Sequence, residues 1–140
     1  MIADFRLAIA DYWLCCYSSK NPYYMTKEQF KNRTKMFAIN TAKLCKTLSY
    51  DSIIKSYIDQ VVRASASVGA NYRAACRAKS IADFINKMRI VEEEADESLY
   101  FFELLLEFYP DKQNMMDTLY KEGNEILSMT VSSIHTALNK

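Results

Sequence analysis

The segment VVRASASVGANYRAACRAKS, residues 61–80, has the residue types that most clearly suggest chemistry. It holds three arginines, one lysine and one glycine among alanines and serines, without leucine, isoleucine or an acid. At about 100° per residue, one helical face is apolar and the opposite side carries the arginines. This side combines guanidinium groups with a strip of small residues, namely Arg63, Arg73 and Arg77 with Ser67, Ala70 and Ala74.

Both features of this side indicate a binding surface. Guanidinium groups bind phosphate or carboxylate oxygens in bidentate fashion, and a strip of small residues lets another backbone approach closely. The segment therefore predicts a contact with nucleic acid or with another subunit. A solvated helix face is the alternative that the sequence leaves open.

Charge is separated along the chain. Residues 26–90 hold thirteen basic and four acidic side chains, a net charge of +9, whereas residues 91–140 hold three basic and eleven acidic ones, a net charge of −8. A basic half attracts a polyanion through its local field and through counterion release. It can equally face the acidic half of a second subunit, and such a head-to-tail contact makes a ring if its rotation closes.

Catalytic and metal-binding constellations are not recognisable. His135 is the only histidine, whereas the di-iron sites of helical bundles use two Glu-x-x-His motifs. The acidic run at residues 92–97 is therefore interpreted as a solvated face. No glycine-rich phosphate loop is present, and no serine or cysteine has a recognisable base partner. We expect a non-enzymatic protein without catalytic residues, cofactor or bound metal.

Length and composition predict an all-α domain. A chain of 140 residues is long enough for one core, and two glycines with two prolines leave few turn residues for a sheet protein. From Thr26 onward, apolar residues recur at helical spacing in four segments joined by short turns. Short connections make neighbouring helices antiparallel, so the expected fold is an up-down-up-down antiparallel four-helix bundle.

Capping residues indicate where these helices begin. Thr26 and Gln29 match a capping box, Asp51 or Ser52 can cap the second helix, and Ser80 can cap the third. Pro110 ends the third helix. The four predicted segments are 26–48, 51 or 52 to 76, 80 to Pro110, and a last stripe over 116–138.

Gly69 and Gly123 both fall on apolar stripes inside predicted helices. Each costs about 1 kcal/mol relative to alanine in a helix. Glycine at such positions predicts close backbone approach between helices rather than a hinge.

Cysteine usage predicts a reduced, cytoplasmic protein. The four cysteines form no C-x-x-C pair and have no matching histidines, which argues against a zinc site or a disulfide scaffold. Cys45 and Cys76 lie on apolar helical faces and are expected to be small core residues.

Residues 1–24 are expected to form an N-terminal extension ahead of a bundle domain at 25–140. Asp4, Arg6 and Asp11 interrupt the apolar run, and no basic region precedes it, so neither a signal peptide nor a membrane span is predicted. Two alternatives stay open: a short helix that packs on the domain, or a non-native segment before an alternative start at Met25.

The residues from Gln60 to Leu105, preceded by FAINTAKLCKTL at 37–48, resemble the family of 23S rRNA intervening-sequence proteins. Members carry R-S-x-x-S-[IV]-x-A-N, then a serine-containing turn and F-x-x-K-[LM]-x-I-A. The resemblance covers about residues 26–138 and leaves residues 1–24 without a counterpart. Ala64 replaces the usual serine. In this sequence the pattern reads Arg63, Ala64, Ser67, Val68, Ala70 and Asn71, then Ser80, Phe84, Lys87, Met88, Ile90 and Val91.

This resemblance implies a bacterial bundle that assembles into a homopentameric ring and binds nucleic acid, RNA in preference to DNA, in a role not established. A related group resembles the accessory variability determinant of diversity-generating retroelements, which binds a reverse transcriptase and its template RNA. The alternative function is therefore an accessory scaffold for a protein partner such as a reverse transcriptase.

Seven residues are candidates for nucleic-acid binding. The resemblance implies Arg63, Asn71 and Lys87, whereas Asn71 could instead satisfy a local backbone group. The helical wheel and the charge distribution add Arg73, Arg77, Lys79 and Arg89.

Overall fold

A computed structural model describes residues 25–139, which form four α-helices and a short 3₁₀ helix without any β-strand. The predicted all-α class is confirmed. The predicted extension at residues 1–24 lies outside the described residues. The helices are α1, Lys27–Cys45; α2, Ser52–Ala75; α3, Ile81–Phe108; and α4, Gln113–Leu138, with the 3₁₀ helix at Pro110–Lys112.

Side-chain caps fix the starts of α1, α2 and α3. The Gln29 backbone N–H donates to Thr26 Oγ1 at 3.1 Å, and the Thr26 N–H donates to Gln29 Oε1 at 2.7 Å, which completes the predicted capping box. Asp51 Oδ1 accepts two backbone N–H bonds at the start of α2. Ser80 Oγ accepts one from the third residue of α3 at 3.0 Å. The expected caps are confirmed, with Asp51 rather than Ser52 capping α2.

The first helix is shorter than its apolar spacing predicts. It ends at Cys45 instead of Leu48, because a tight turn follows in which the Leu48 N–H donates to the Cys45 carbonyl at 3.2 Å. Leu48 stays buried. The tight turn therefore keeps Leu48 in the core although α1 ends three residues before it.

Consecutive helices run antiparallel. Phe30 near the start of α1 meets Tyr72 near the end of α2, with ring centroids 4.7 Å apart. Tyr57 in the first half of α2 lies 6.2 Å from Phe108 at the end of α3. Between α3 and α4, the Tyr120 hydroxyl in the first half of α4 donates to Glu103 Oε1 near the end of α3 at 2.9 Å, and α1 packs against α4 to close the bundle. The up-down-up-down arrangement is confirmed.

The core is built from the apolar stripes of all four helices. Tyr72 is fully buried, and burial raises the pKa of its phenol well above the usual range. Burial also raises the pKa of Cys45 to about 11 and raises that of Cys76, so both thiols are protonated at neutral pH. Their predicted place in the core is confirmed. Leu138, by contrast, is 53% exposed although it ends the apolar stripe of α4.

Several buried hydroxyl groups are satisfied inside their own helix. Thr34, Thr41 and Thr130 each donate to the carbonyl four residues earlier, at 3.0, 2.8 and 2.8 Å. A buried hydroxyl without a partner would destabilise the fold, and this local bond avoids that cost. These side chains therefore fill the core without requiring a polar partner from a neighbouring helix.

Both glycines lie where two helices approach closely. A Cβ atom at Gly69 would lie 3.3 Å from Thr34 Oγ1. A Cβ atom at Gly123 would lie 2.9 Å from Leu99 Cδ2 and 3.1 Å from Phe37 Cζ. The predicted close approach is confirmed, and it is tighter at Gly123.

We expect Gly123→Ala to destabilise the protein by about 1 kcal/mol, measured by chemical denaturation. Overpacking a core costs about 1–3 kcal/mol, and alanine regains about 1 kcal/mol of helix propensity. Gly69→Ala is the matched control, because its Cβ meets a less crowded site and the helix gain is the same. A Gly123→Ala protein as stable as Gly69→Ala would contradict the packing described.

Candidate nucleic-acid interface

The structure separates the arginines that the helical wheel placed together on α2. Arg63 pairs with α3: Nη2 lies 2.7 Å from Glu97 Oε1, and Nη1 lies 3.2 Å from both Glu94 carboxylate oxygens. Arg73 instead lines a groove between α1 and α2. The ten residues between them correspond to about 15 Å along the helix axis. The expected single cluster is therefore corrected: Arg63 is not part of it.

Asn71 has the local role that the sequence left open. Its Nδ2 donates to the Ser67 carbonyl at 2.9 Å and to Ser67 Oγ at 2.8 Å. The side chain is partly buried. Its amide nitrogen thus serves the backbone of α2.

Lys87 belongs to the start of α3. Its Nζ lies 2.7 Å from Asp83 Oδ2, which also accepts the Lys79 backbone N–H at 2.9 Å. The bond from Lys87 lowers the pKa of the Asp83 carboxyl most, and the backbone bond lowers it further. An acid in the first turn also interacts favourably with the helix dipole. Lys87 is therefore committed to an ion pair.

Arg73, Arg77 and Lys79 remain together at one end of the bundle. All three are exposed, and no ion pair within residues 25–139 involves their side chains. Lys27 lies near Cys76 at the end of α2, close enough for its charge to lower the pKa of the Cys76 thiol and so partly oppose the rise that burial causes. We call Lys27, Arg73, Arg77 and Lys79 the basic end.

Arg89 lies away from the basic end. It lines a groove of about 510 Å³ between α3 and α4, together with three carboxylates and two apolar side chains. Because these carboxylates repel phosphate, the surroundings of Arg89 are less favourable to nucleic acid than the basic end. The other residues of this groove are Glu92, Glu93, Asp96, Leu127 and Val131.

A second groove, the α1–α2 groove, has a volume of about 510 Å³ beside the basic end. Its apolar part consists of Ala38, Ile39, Ala66 and Ala70, and Arg73 stands at its edge. Of the small residues predicted from the sequence, Ser67, Ala70 and Ala74, only Ala70 lines this groove, and Ala66 and Gly69 are the other small residues that α2 contributes.

Sequence reasoning missed the structural part played by Arg33, which counted only as one more basic charge. Its Nε lies 2.5 Å from Glu122 Oε1 and its Nη2 lies 2.8 Å from Glu122 Oε2, and Nη2 also binds Glu125. The bond with Glu122 is the main cause that raises the pKa of Arg33. The pair joins α1 to α4. The sequence signal was weak, since 89 residues separate Arg33 from Glu122.

No cluster of metal-ligating side chains occurs among residues 25–139. Within the same range, no helix is long and apolar enough to cross a membrane. The candidate binding surfaces are therefore the basic end, the α1–α2 groove and the groove that Arg89 lines.

Comparison with protein-family models matches residues 17–132 to the 23S rRNA-intervening sequence proteins. The chain belongs to this family. The match begins before Met25, so residues 17–24 do have a counterpart in the family, which corrects the extent inferred from the motif.

A solved structure supports the fold of this family. It is the crystal structure of a protein from Bacteroides thetaiotaomicron, described as a member of the S23 ribosomal protein family with unknown function. The two sequences are 31% identical, the TM-score is 0.67, and the match covers 75% of this chain and 97% of that one. No curated protein matches the sequence.

The Arg33–Glu122 pair is expected to contribute about 1–2 kcal/mol, because it is partly buried and makes two charged hydrogen bonds. A double-mutant cycle with Arg33→Met and Glu122→Gln measures this coupling by chemical denaturation. The exposed Lys55–Asp59 pair, treated with Lys55→Met and Asp59→Asn, is the control and should give a smaller coupling. Equal coupling energies for the two pairs would contradict the role of the Arg33–Glu122 pair in joining α1 to α4.

The Asp83 carboxyl is expected to titrate below its ordinary pKa in an NMR titration of the folded protein. Its contribution to stability is then complete above the unfolded pKa and is lost as pH falls through the folded pKa. Lys87→Ala should raise the Asp83 pKa towards its ordinary value. Lys79→Ala is the control, because it keeps the backbone N–H that Asp83 accepts. Equal shifts in both variants would show that the Lys87 side chain is not the main cause.

Proposed function

We propose that this family member is a non-enzymatic nucleic-acid-binding protein that contacts phosphates with its basic end. One observation carries the proposal: Arg73, Arg77 and Lys79 are exposed and without ion pairs in residues 25–139, whereas carboxylates hold Arg33, Arg63 and Lys87. Free guanidinium and ammonium groups on one surface bind a polyanion and release its counterions.

The spacing of the basic end suits a nucleic-acid backbone. Arg73 and Arg77 are four residues apart on consecutive turns of α2, so both side chains reach the same side. Lys79 follows in the turn before α3. Phosphate contacts position a protein without reading bases. We therefore propose recognition of charge and shape rather than of sequence.

RNA is the proposed ligand in preference to DNA. This choice rests on the association of the family with intervening sequences of 23S rRNA. Single strands and loops of RNA offer phosphates together with unstacked bases. Of the seven residues predicted from the sequence, Arg73, Arg77 and Lys79 are those we propose as the phosphate contacts.

Self-association into a ring is part of the proposal. Exposed acids of α3 and α4 oppose the basic surface of α1 and α2, which favours contact between unlike surfaces of two copies. A contact of that kind is heterologous and closes only for suitable rotations. The resemblance to the family gives five as the expected number of subunits.

A second candidate function is an accessory scaffold for a protein partner such as a reverse transcriptase. Exposed aromatic side chains favour it, since Tyr50, Tyr100 and Phe108 are each more than half exposed. Aromatic residues are enriched at protein–protein contacts.

Binding of the full chain to an RNA hairpin, a single-stranded DNA and a duplex DNA across a salt series tests the leading proposal. We expect RNA to bind most tightly, with the logarithm of affinity falling linearly with the logarithm of salt concentration. Arg73→Ala/Arg77→Ala should reduce that slope by about one for each phosphate that the variant no longer neutralises.

Two control variants sharpen this measurement. Lys43→Ala/Lys46→Ala also removes two positive charges, but at the C-terminal end of α1, away from the basic end. It should leave the salt dependence of binding nearly unchanged. Arg63→Ala should lower stability while keeping the slope, because its charge is already paired. Absence of binding to all three probes would overturn the proposal and leave the scaffold as the better candidate.

A further inference from the structure

Two exposed rings, Tyr100 and Phe108, and two partly buried rings between them, Tyr57 and Phe101, form one surface, the aromatic patch. Phe101 lies 6.2 Å from Tyr57 and 5.4 Å from Tyr100, and Tyr57 lies 6.2 Å from Phe108, as distances between ring centroids. Within residues 25–139, every aromatic residue among the exposed large hydrophobic side chains belongs to this patch. The patch also includes Tyr50, which lines a hollow together with Phe108, and the exposed Ile53, one helical turn before Tyr57.

The patch continues into a hollow of about 730 Å³ at the end of the bundle, which Tyr50 and Phe108 both line. Exposed apolar area that is both contiguous and rimmed by polar groups marks an interaction site. The first half of α2 and the last half of α3 hold most of the patch, and Tyr50 lies in the connection before α2. Its shape is thus set by the packed bundle.

Acidic side chains surround the patch. Asp51 and Asp111 line the hollow. The exposed Glu107 lies seven residues, about two helical turns, after Tyr100 in α3. Lys112 also lines the hollow, whereas Lys55 is paired with Asp59. This surplus of carboxylates disfavours a phosphate backbone and favours a basic protein surface.

The α1–α2 groove has the complementary properties. Its floor of alanine side chains and Gly69 leaves room for large rings, where the patch offers such rings. Lys35 stands along it without an ion pair in residues 25–139, whereas Glu28 is paired with Lys31, and Arg73 is left to the phosphate contacts of the proposed function. The groove is therefore basic and hollow where the patch is acidic and protruding.

We propose that the aromatic patch of one copy of this chain docks in the α1–α2 groove of a second copy. This inference rests on the self-association within the proposed function and names its two surfaces. Large rings beside small residues give shape complementarity, and carboxylates of one copy beside Lys35 of the next give register and specificity. Since patch and groove are different surfaces, the contact is head-to-tail, and an open assembly keeps one unused patch at one end and one unused groove at the other until a ring closes.

Complementation between two variants of the full chain tests the contact. Tyr100→Glu disables the patch and Ala70→Glu disables the groove; both positions are exposed, and circular dichroism checks that each variant is folded. Light scattering after size exclusion, over a concentration series, gives the masses. We expect an oligomer for wild type, a monomer for each variant alone, and a dimer that grows no further for the equimolar mixture.

Matched substitutions provide the controls. Ala82→Glu and Met115→Glu introduce the same charge at exposed positions outside both surfaces and should keep the mass of wild type. Folded variants at Tyr100 and Ala70 that also keep the mass of wild type would overturn the contact and leave self-association standing. A mixture of two monomers that stays monomeric overturns it as well.

Two other outcomes separate this inference from the proposed function. A wild-type protein that is monomeric at all concentrations overturns both the contact and self-association, while RNA binding is judged by its own measurement. Loss of thermal stability in Ala70→Glu without a change of mass would show that the groove is filled by the same chain, which also overturns the contact.

Discussion

The close approach of α1 and α4 is the constraint on which the bundle depends. These two helices share the smallest interface of the neighbouring pairs, yet they must meet to close the core. Gly123 favours this approach because a Cβ atom at its position would crowd the side chains of Phe37 and Leu99, which would have to shift. One turn earlier on α1, Arg33 binds Glu122 and Glu125 and holds the same two helices together at the surface.

Internal ion pairs determine which charges remain available to a partner. The acids of α3 and α4 bind Arg33 and Arg63 from α1 and α2, and Asp83 binds Lys87. Each of these pairs neutralises a cation that the sequence alone counts as part of a basic surface. Unpaired cations remain where α2 ends and α3 begins, at Arg73, Arg77 and Lys79, and also along α1, at Lys35, Lys43 and Lys46.

Local signals in the sequence were sufficient for the helices and most of the core. Thr26, Asp51 and Ser80 act within three residues of themselves, so their capping roles follow from neighbours in the chain. Gly123 was also informative, since a glycine on an apolar helical stripe has few explanations other than close packing.

The candidate site was less predictable because it depends on contacts between distant residues. A helical wheel places Arg63 near Arg73 in angle, and it contains no information about the carboxylates that α3 brings to Arg63. The pairing of Arg33 needs the relative position of α1 and α4, which no local pattern encodes. The same limitation applies to the aromatic patch, whose residues come from α2, α3 and the connection before α2.

The buried hydroxyl groups have a consequence for how such sequences diverge. Thr34, Thr41 and Thr130 obtain their hydrogen bonds within their own helices, so no neighbouring helix depends on them for a polar partner. A change to a similar-sized apolar residue at one of these positions requires no simultaneous change elsewhere. Evolutionary drift can therefore proceed there one position at a time, in a fold that is shared with a relative of only 31% identity.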